Sequence, residues 1–467
     1  MRLQLPTTIQ ECHKLILEQQ ALINSLVGRL KKLEEQVNKN SKNSNKPPSS
    51  DGLKKKPAFV RRKGAVKRGG KKNHQGKTLE LVEHPDVCIP LLPTHCSCGT
   101  ALDTSKALVG ERRQVFDLPD PKLVVTEYQK LSCVCGHCGQ TVVGQFSDGV
   151  PARVQYGSGV RSLTTMLNCA FAMPVGKIQQ LFTDLFGYAI NEGTISNNNH
   201  RCYDLLEAIE QQIKTNLLAA KVGHSDESGV RVAGKLHWLH TFSSALFTFF
   251  FVHPKRGRKA LEDSMSLLPD FKSWLVHDCW SSYFRFTGCR HALCGAHIIR
   301  ELTALHEKEV VWAKWFQRYL FTLFKIVQDN DGVLPKAIQP KALLLFDKIV
   351  AAADAIEPPP QKIKGKRGKP KATKGRNLLN RLSKHKMAVV AFALHPEVPF
   401  TNNLAERDLR PIKTKQKVAG CFRTRKGAHN HARIYGFVSS ARKHHLNIFK
   451  ELRSIFEGDP SSIFSKC

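Results

Sequence analysis

"KVGHSDESGVRVAGKLHWLHTFSSALFTFFFVHP", residues 221–254, is where the period of the chain changes from helical to strand-like. Apolar residues cluster between two points of turn chemistry, Ala233-Gly234-Lys235 and Ser243-Ser244, so the spacing predicts three strands joined by tight turns. Asp226 lies at the centre of the first strand. A helix is expected over "RKALEDSMSLLP", residues 258–269, followed by a short buried strand in "SWLVHDCWSSY", residues 273–283, that ends on Asp278. An aspartate at the carboxyl end of a buried strand occupies the edge where open α/β sheets bind ligands.

A three-strand meander, a helix and a further strand, with acids on the first and fourth strands, is a ribonuclease-H-like arrangement within a multidomain α/β chain. Neighbouring strands would bring Asp226 and Asp278 within reach of a shared Mg²⁺ or Mn²⁺, and a third carboxylate is wanted from a later helix. "NNLAERDLRP", residues 402–411, offers one. Between Asn402 and Gly427 there are eight lysines and arginines and only two acids, Glu406 and Asp408. Glu406 has an ordinary reading, since Asn403 and Glu406 fit a capping box and Glu406 and Arg410 fit a helical ion pair. Asp226 as a turn contact and Asp278 as a cap are equally ordinary. Taken together, in this order and on these elements, the three acids favour a site for two ions that activates a water or a 3′-hydroxyl for in-line displacement. Arg407, Arg410, Lys413, Lys415 and Lys417 would then hold phosphates around the reacting bond.

Bulk composition agrees. The 467 residues are 41% hydrophobic, enough for several cores, and carry a formal charge of +33 with a pI near 9.8. That excess implies a polyanionic partner, nucleic acid ahead of an anionic membrane surface. The start "MRLQLPTTIQECHK" has no signal-peptide core and no run is long enough to span a bilayer, so a cytoplasmic protein is expected.

Upstream, Ile9, Cys12, Ile16, Ile23, Leu26, Leu30, Leu33 and Val37 recur at alternating three- and four-residue steps, with Gln19 as the polar seam position. This predicts a coiled coil that joins copies of the chain. Residues 39–77 hold fourteen basic residues and one acid, the composition of a solvated tether that also touches phosphates. In "THCSCGTAL" and "CVCGHCGQ", Cys96 (or His95 in its place), Cys98, Cys135 and Cys138 offer four soft ligands in two loops, as tetrahedral structural Zn²⁺ requires. Free thiols are the alternative. The helix, glycine-containing turn and helix of residues 176–213 have the cadence of a helix-turn-helix, with Thr194, Ser196 and Asn197 on its second helix, or of a plain helical hairpin.

With these blocks read, the chain resembles the bacterial insertion-sequence-66 family of DDE transposases along nearly its full length. "NSNKPPSSD" resembles that family's N-terminal signature, and "DESGVRVAGKLHWLH", "LVHDCWSSY", "LCGAHIIREL" and "NNLAERDLRPIKTKQKVAGCFRT" are similar to its four strongest blocks, in the same order. The resemblance implies a catalytic triad at Asp226, Asp278 and Glu406, double-stranded DNA as partner, homo-oligomers, and accessory proteins of the same element. It also draws attention to Cys294 and His297, for which packing or support of an inserted segment is expected ahead of metal binding. Cys279 stands where a glycine is expected and Ser228 where a threonine is. The domains expected are 1–38 coiled coil, 39–80 basic linker, 81–150 zinc-finger-like and 151–216 helical DNA-binding. The ribonuclease-H-like core follows as 217–300 and 386–450, divided by a helical insertion with a basic loop at 301–385, and 451–467 is a tail. The function implied is a bacterial, nucleoid-associated transposase that cuts element ends and joins them to target DNA. The alternatives are a nuclease of the same fold that never joins, and a non-catalytic DNA-binding relative.

Overall fold

The computed structural model describes residues 8–40, 43–44, 79–361 and 370–459. Most of the basic stretch 39–77 and the centre of the basic run near 365 lie outside the described residues. The chain divides into two units, one made of residues 54–129 and 185–187, the other of residues 1–53, 130–184 and 188–467.

Among its described residues, the smaller unit is extended and exposed, with one bridge between His95 and Ala101. Gln114 ties it locally, accepting from the Val82 N–H at 2.8 Å and donating to the Val82 carbonyl at 2.7 Å. The larger unit begins with α1 (Ile9–Val37), whose Thr8 and Glu11 form the reciprocal capping box that starts a helix. Its apolar side chains are exposed, Leu26 at 46% and Leu30 at 57% among them, so the helix buries no face of its own. A small hairpin follows, β1 (Ser132–Val134) and β2 (Thr141–Val143). Then come α2 (Ser158–Thr165), α3 (Val175–Phe186), α4 (Glu192–Leu205) and α5 (Glu207–Leu218).

The central sheet is mixed. β3 (Val222–Val232), β4 (Lys235–Ser243) and β5 (Thr248–His253) form the antiparallel meander. Ala233 and Gly234 both take positive φ at the first turn, as a two-residue hairpin loop demands. The helix expected over residues 258–269 stops after one turn, α6 (Arg258–Leu261), because the Asp263 side chain accepts the Met265 N–H at 2.9 Å and diverts the backbone. β6 (Trp274–His277) and β7 (Arg290–Leu293) run parallel to β3, giving the order β5-β4-β3-β6-β7.

Alternation along β6 shows that both faces are covered. Leu275 enters a core shared with β4 and β5 and with α12 (Asn403–Ala419), α13 (Arg425–Lys443) and α14 (Ile448–Glu457). Trp274 and Val276 enter a second core built with α7 (Gly295–His306), α8 (Val311–Gln328), α9 (Gln339–Ile356), α10 (Lys374–Lys384) and α11 (Lys386–Leu394). Strand residues that point alternately to two buried faces are the period-2 signature of a central strand. Among the described residues no helix is long and apolar enough to cross a membrane.

Candidate active site

β3 and β6 pair in parallel with Val222 opposite Trp274 and His224 opposite Val276. Carried on one for one, that register sets Asp226 beside Asp278, just past the last residue of β6. In-register residues on neighbouring strands point to one face about 4.8 Å apart. The Asp278 charge acts on Asp226. Burial pushes Asp226 well above the usual carboxylate range, and the charges of Glu227, Asp278 and Glu406 add to the shift. Burial, then Glu227, raises Asp278 to about 7. Two acids in the sheet and one on α12 thus form a single electrostatic cluster.

Clamps at both ends hold α12 along β3. At its start, the Asn402 side chain donates to the Ser225 carbonyl (2.8 Å) and meets His224 Nδ1 (3.0 Å). Past its end, the Phe422 N–H donates to the Arg231 carbonyl (2.9 Å) and the Ala233 N–H to the Phe422 carbonyl (2.8 Å). The expected capping box is absent. Asn402, not Asn403, is the cap residue, and its side chain is spent on β3 rather than on the helix. Glu406 makes no ion pair with Arg410; its Oε2 lies 4.0 Å from Arg300, and its Oε1 lies 3.7 Å from His297 Nδ1. Burial holds the His297 pKa down near 4, so this histidine is neutral at pH 7 and the approach is not a salt bridge.

Asp408, the other acid of the basic stretch, belongs to the interior. It accepts from Ser243 (2.8 Å), Thr248 (3.0 Å) and Lys443 (2.7 Å). Glu227 was missed by sequence reading although it adjoins Asp226. It is buried, accepts from Tyr283 at 2.6 Å and pairs with Arg256 at 2.6 Å. Arg256 in turn lies over the rings of Trp238 and Trp280. This network backs the two aspartates, and the Arg256 charge acts on Asp278 to lower its pKa.

Of the predicted phosphate-binding residues, Arg407, Arg410 and Lys417 are exposed and Lys413 is half-buried. Lys415 corrects the expectation. It is buried and donates to the Asn168 carbonyl at 3.0 Å, because it lies on the face of α12 that carries Ala405, Leu409 and Ile412. On α4, Ser196 and Asn197 are exposed and Thr194 is half-buried. Cys294 caps α7 and is fully buried, and its Sγ accepts the Asn402 N–H at 3.1 Å. Gly295 follows because a Cβ there would overlap the Phe400 ring.

The cysteine segments fall in different units, Cys96 and Cys98 in the smaller and Cys135 and Cys138 in the larger. Each is knuckle-like by itself. The Gly139 N–H closes on the Cys135 carbonyl (2.9 Å), and the Gly99 N–H closes one residue tighter, on the Cys96 carbonyl (2.9 Å), with His95 in the bridge to Ala101. Both glycines have positive φ. Backbone N–H groups of Cys138 and His137 lower the Cys135 pKa, and the Thr100 hydroxyl lowers Cys98 to about 7, so both sulfurs are biased towards the thiolate that metals require.

A sheet edge that gathers carboxylates, in a chain this basic, suits a protein that works on DNA. The model of the transposase IS66 family matches residues 153–430, a stretch that takes in the whole central sheet, α12 and Asp226, Glu227, Asp278, Glu406 and Asp408. The chain belongs to that family, and is thereby a transposase by class. Membership implies DNA binding and, in general, dependence on a divalent cation. A second model, a family of unknown function (DUF6444), matches residues 4–80. No curated protein matches the chain.

Proposed function

We propose that the protein is the transposase of an insertion sequence, that residues 217–300 and 386–450 form a ribonuclease-H-like core, and that Asp226, Asp278 and Glu406 hold two Mg²⁺ or Mn²⁺ ions. The single observation that supports this reading is the parallel pairing of β3 with β6, which runs to His224 opposite Val276, two residues short of Asp226 and Asp278, while the charges of Asp278 and Glu406 raise Asp226. The donor set fits. Carboxylate oxygens are hard ligands suited to such ions, and Asp226, raised by burial and then by the charges of Glu227, Asp278 and Glu406, would be relieved by a cation. When bound, the ions would lower the pKa of the attacking hydroxyl and stabilise the leaving oxygen.

The chain's own residues do the positioning. Asn402 fixes the start of α12 against β3, and so sets the distance from Glu406 to the aspartates. Arg407, Arg410 and Lys417 face solvent beyond Glu406, where they would hold the strand that is cut, and Lys413 adds a half-buried charge. Copies of the chain would associate through the exposed apolar seam of α1 as a coiled coil. Each knuckle by itself, Cys96 (or His95) with Cys98 and Cys135 with Cys138, would offer soft ligands to structural Zn²⁺, and the helices of residues 151–216 would take part in recognising element ends. Helical residues 301–385 read as an insertion into the core. Accessory proteins of the same element are a further expectation.

A strand-transfer assay with Mg²⁺, labelled element ends and plasmid target tests the reading. Wild type should join ends to target, while Asp226→Ala, Asp278→Ala and Glu406→Ala should bind ends and join none. Cut but unjoined ends from wild type would favour a nuclease. Equal joining by wild type and Glu406→Ala would remove Glu406 from the site.

A further inference from the structure

Cys294, His297 and Glu406 make a second constellation beside the carboxylates. One ligand atom from each lies within 4.8 Å of the other two, and among the described residues no other group of three or more His, Cys, Asp and Glu side chains is gathered so closely. Cys294 caps α7 and His297 follows three residues later, which sets both on one face of that helix, while Glu406 reaches in from the first turn of α12. His297 Nδ1 and Glu406 Oε1 face each other at 3.7 Å, both buried, and neither has a hydrogen-bond partner. Buried polar atoms without partners are uncommon, and an opposed nitrogen and oxygen beside a thiol offer three donors that one ion could satisfy together. The Asn402 N–H already points at the Cys294 sulfur, as it would at a thiolate.

We propose that Cys294 Sγ, His297 Nδ1 and Glu406 Oε1 bind one transition-metal ion of the Zn²⁺ or Co²⁺ type. Sulfur and imidazole nitrogen select such an ion over Mg²⁺, and three protein donors leave a fourth tetrahedral position open. Binding sends the thiol proton to solvent. The site stands on its own cluster and shares only Glu406 with the reading above. Through that shared residue it has a consequence: a soft ion held by Cys294 and His297 draws Glu406 towards α7 and away from the two aspartates. The same glutamate would then serve one ion type or the other.

Full-length protein, stripped with a chelator and dialysed, is titrated with Co²⁺ while the thiolate-to-cobalt charge-transfer absorption is followed. Exposed cysteines elsewhere contribute their own signal, so the comparison with variants decides. Wild type should bind one more equivalent per chain than Cys294→Ser, His297→Gln or Glu406→Gln, the double variant Cys294→Ser/His297→Gln should lose no more than either single one, and Asp226→Asn should keep the full number. Thermal melting checks each variant, and any one of the three that folds carries the comparison. Equal stoichiometry and equal spectra in wild type and the folded variants overturn the site, and so does loss of the same equivalent in Asp226→Asn. A protein that binds this ion but never joins DNA ends would sink the transposition mechanism and leave the site intact. Joining without the extra equivalent would do the reverse.

Discussion

Lys443 Nζ lies 2.7 Å from Asp408 Oδ2 inside the protein, with side chains only 10% and 7% exposed, while Glu406, two residues before Asp408, faces His297 and Arg300. The two acids of one basic stretch therefore have opposite duties. Asp408→Ala strands a buried lysine together with the hydroxyls of Ser243 and Thr248. It should cost about 3–5 kcal/mol, visible as a lowered urea midpoint. Glu406→Gln should change stability by less than about 1 kcal/mol, since the carboxylate has no short hydrogen bond to lose. Its joining rate should nevertheless fall by on the order of 10²-fold or more, ~3 kcal/mol of barrier. Comparable destabilisation by both substitutions would show that Glu406 is structural.

Asn402 is the residue on which α12 hangs, and it acts through Glu406 rather than on DNA. Removing its side chain with Asn402→Ala leaves the Ser225 carbonyl and the buried His224 nitrogen without those bonds, a loss of about 2–4 kcal/mol. If it sets the position of Glu406, the variant should also need about 10-fold more Mg²⁺ for half-maximal joining, as lost ligand support commonly does. A melting shift with an unchanged Mg²⁺ requirement would confine Asn402 to stability.

Much of this was legible in the sequence, for definite reasons. The β3–β5 meander announces itself because Ala233-Gly234 can take the positive φ of a hairpin turn. Asp278 stands out because it directly follows the four-residue apolar run of β6, whereas Asp226 lies in the middle of the eleven-residue β3 and stands out as an acid inside a buried strand. β7 was not seen, since "RHAL" is too short to alternate and owes its burial to neighbours on both faces. Asn402 reads locally as a cap and reveals its partners only through a contact 177 residues away in sequence. Lys415 was legible and misread. Ala405, Asp408, Leu409, Ile412 and Lys415 are spaced as one helical face, whereas Lys413 and Lys417, four apart, share another from which Lys415, two residues from each, is excluded.

Stability should depend on pH in two opposing ways. With Asp278 raised from 3.8 to about 7, the folded chain keeps a proton that the unfolded chain releases, so metal-free stability from this group falls as pH rises across that window. Buried neutral histidines act in the reverse sense. His224, His240 and His297 are held near 4 and His277 near 3, so their contribution is lost as pH falls below 6.5. Subtracting wild type from Asp278→Asn isolates the first effect. In chelator, the variant's advantage in melting temperature should grow from pH 4 to 7 and then level off, and Mg²⁺ at pH 8 should narrow it by stabilising wild type alone. A difference that stays flat with pH would mean that Asp278 is not the strained acid of the cluster.

Salt dependence separates the lysines and arginines of α12. A residue that touches a phosphate releases counterions, and its loss lowers the slope of log K against log salt by about 1. Arg407, Arg410 and Lys417 are exposed on α12, and alanine at each should weaken DNA binding while flattening that slope. Lys415 is spent on the Asn168 carbonyl inside the protein. Lys415→Ala should therefore leave the slope unchanged and lower thermal stability instead, because the Asn168 carbonyl loses a charged donor. Lys415→Met, which keeps the length and apolar stem without the charge, should recover part of that stability and still leave the slope alone. A Lys415→Ala slope reduced as much as that of Arg410→Ala would put Lys415 on the DNA, and α12 would have to turn by about 140° to bring it to the direction of Arg410.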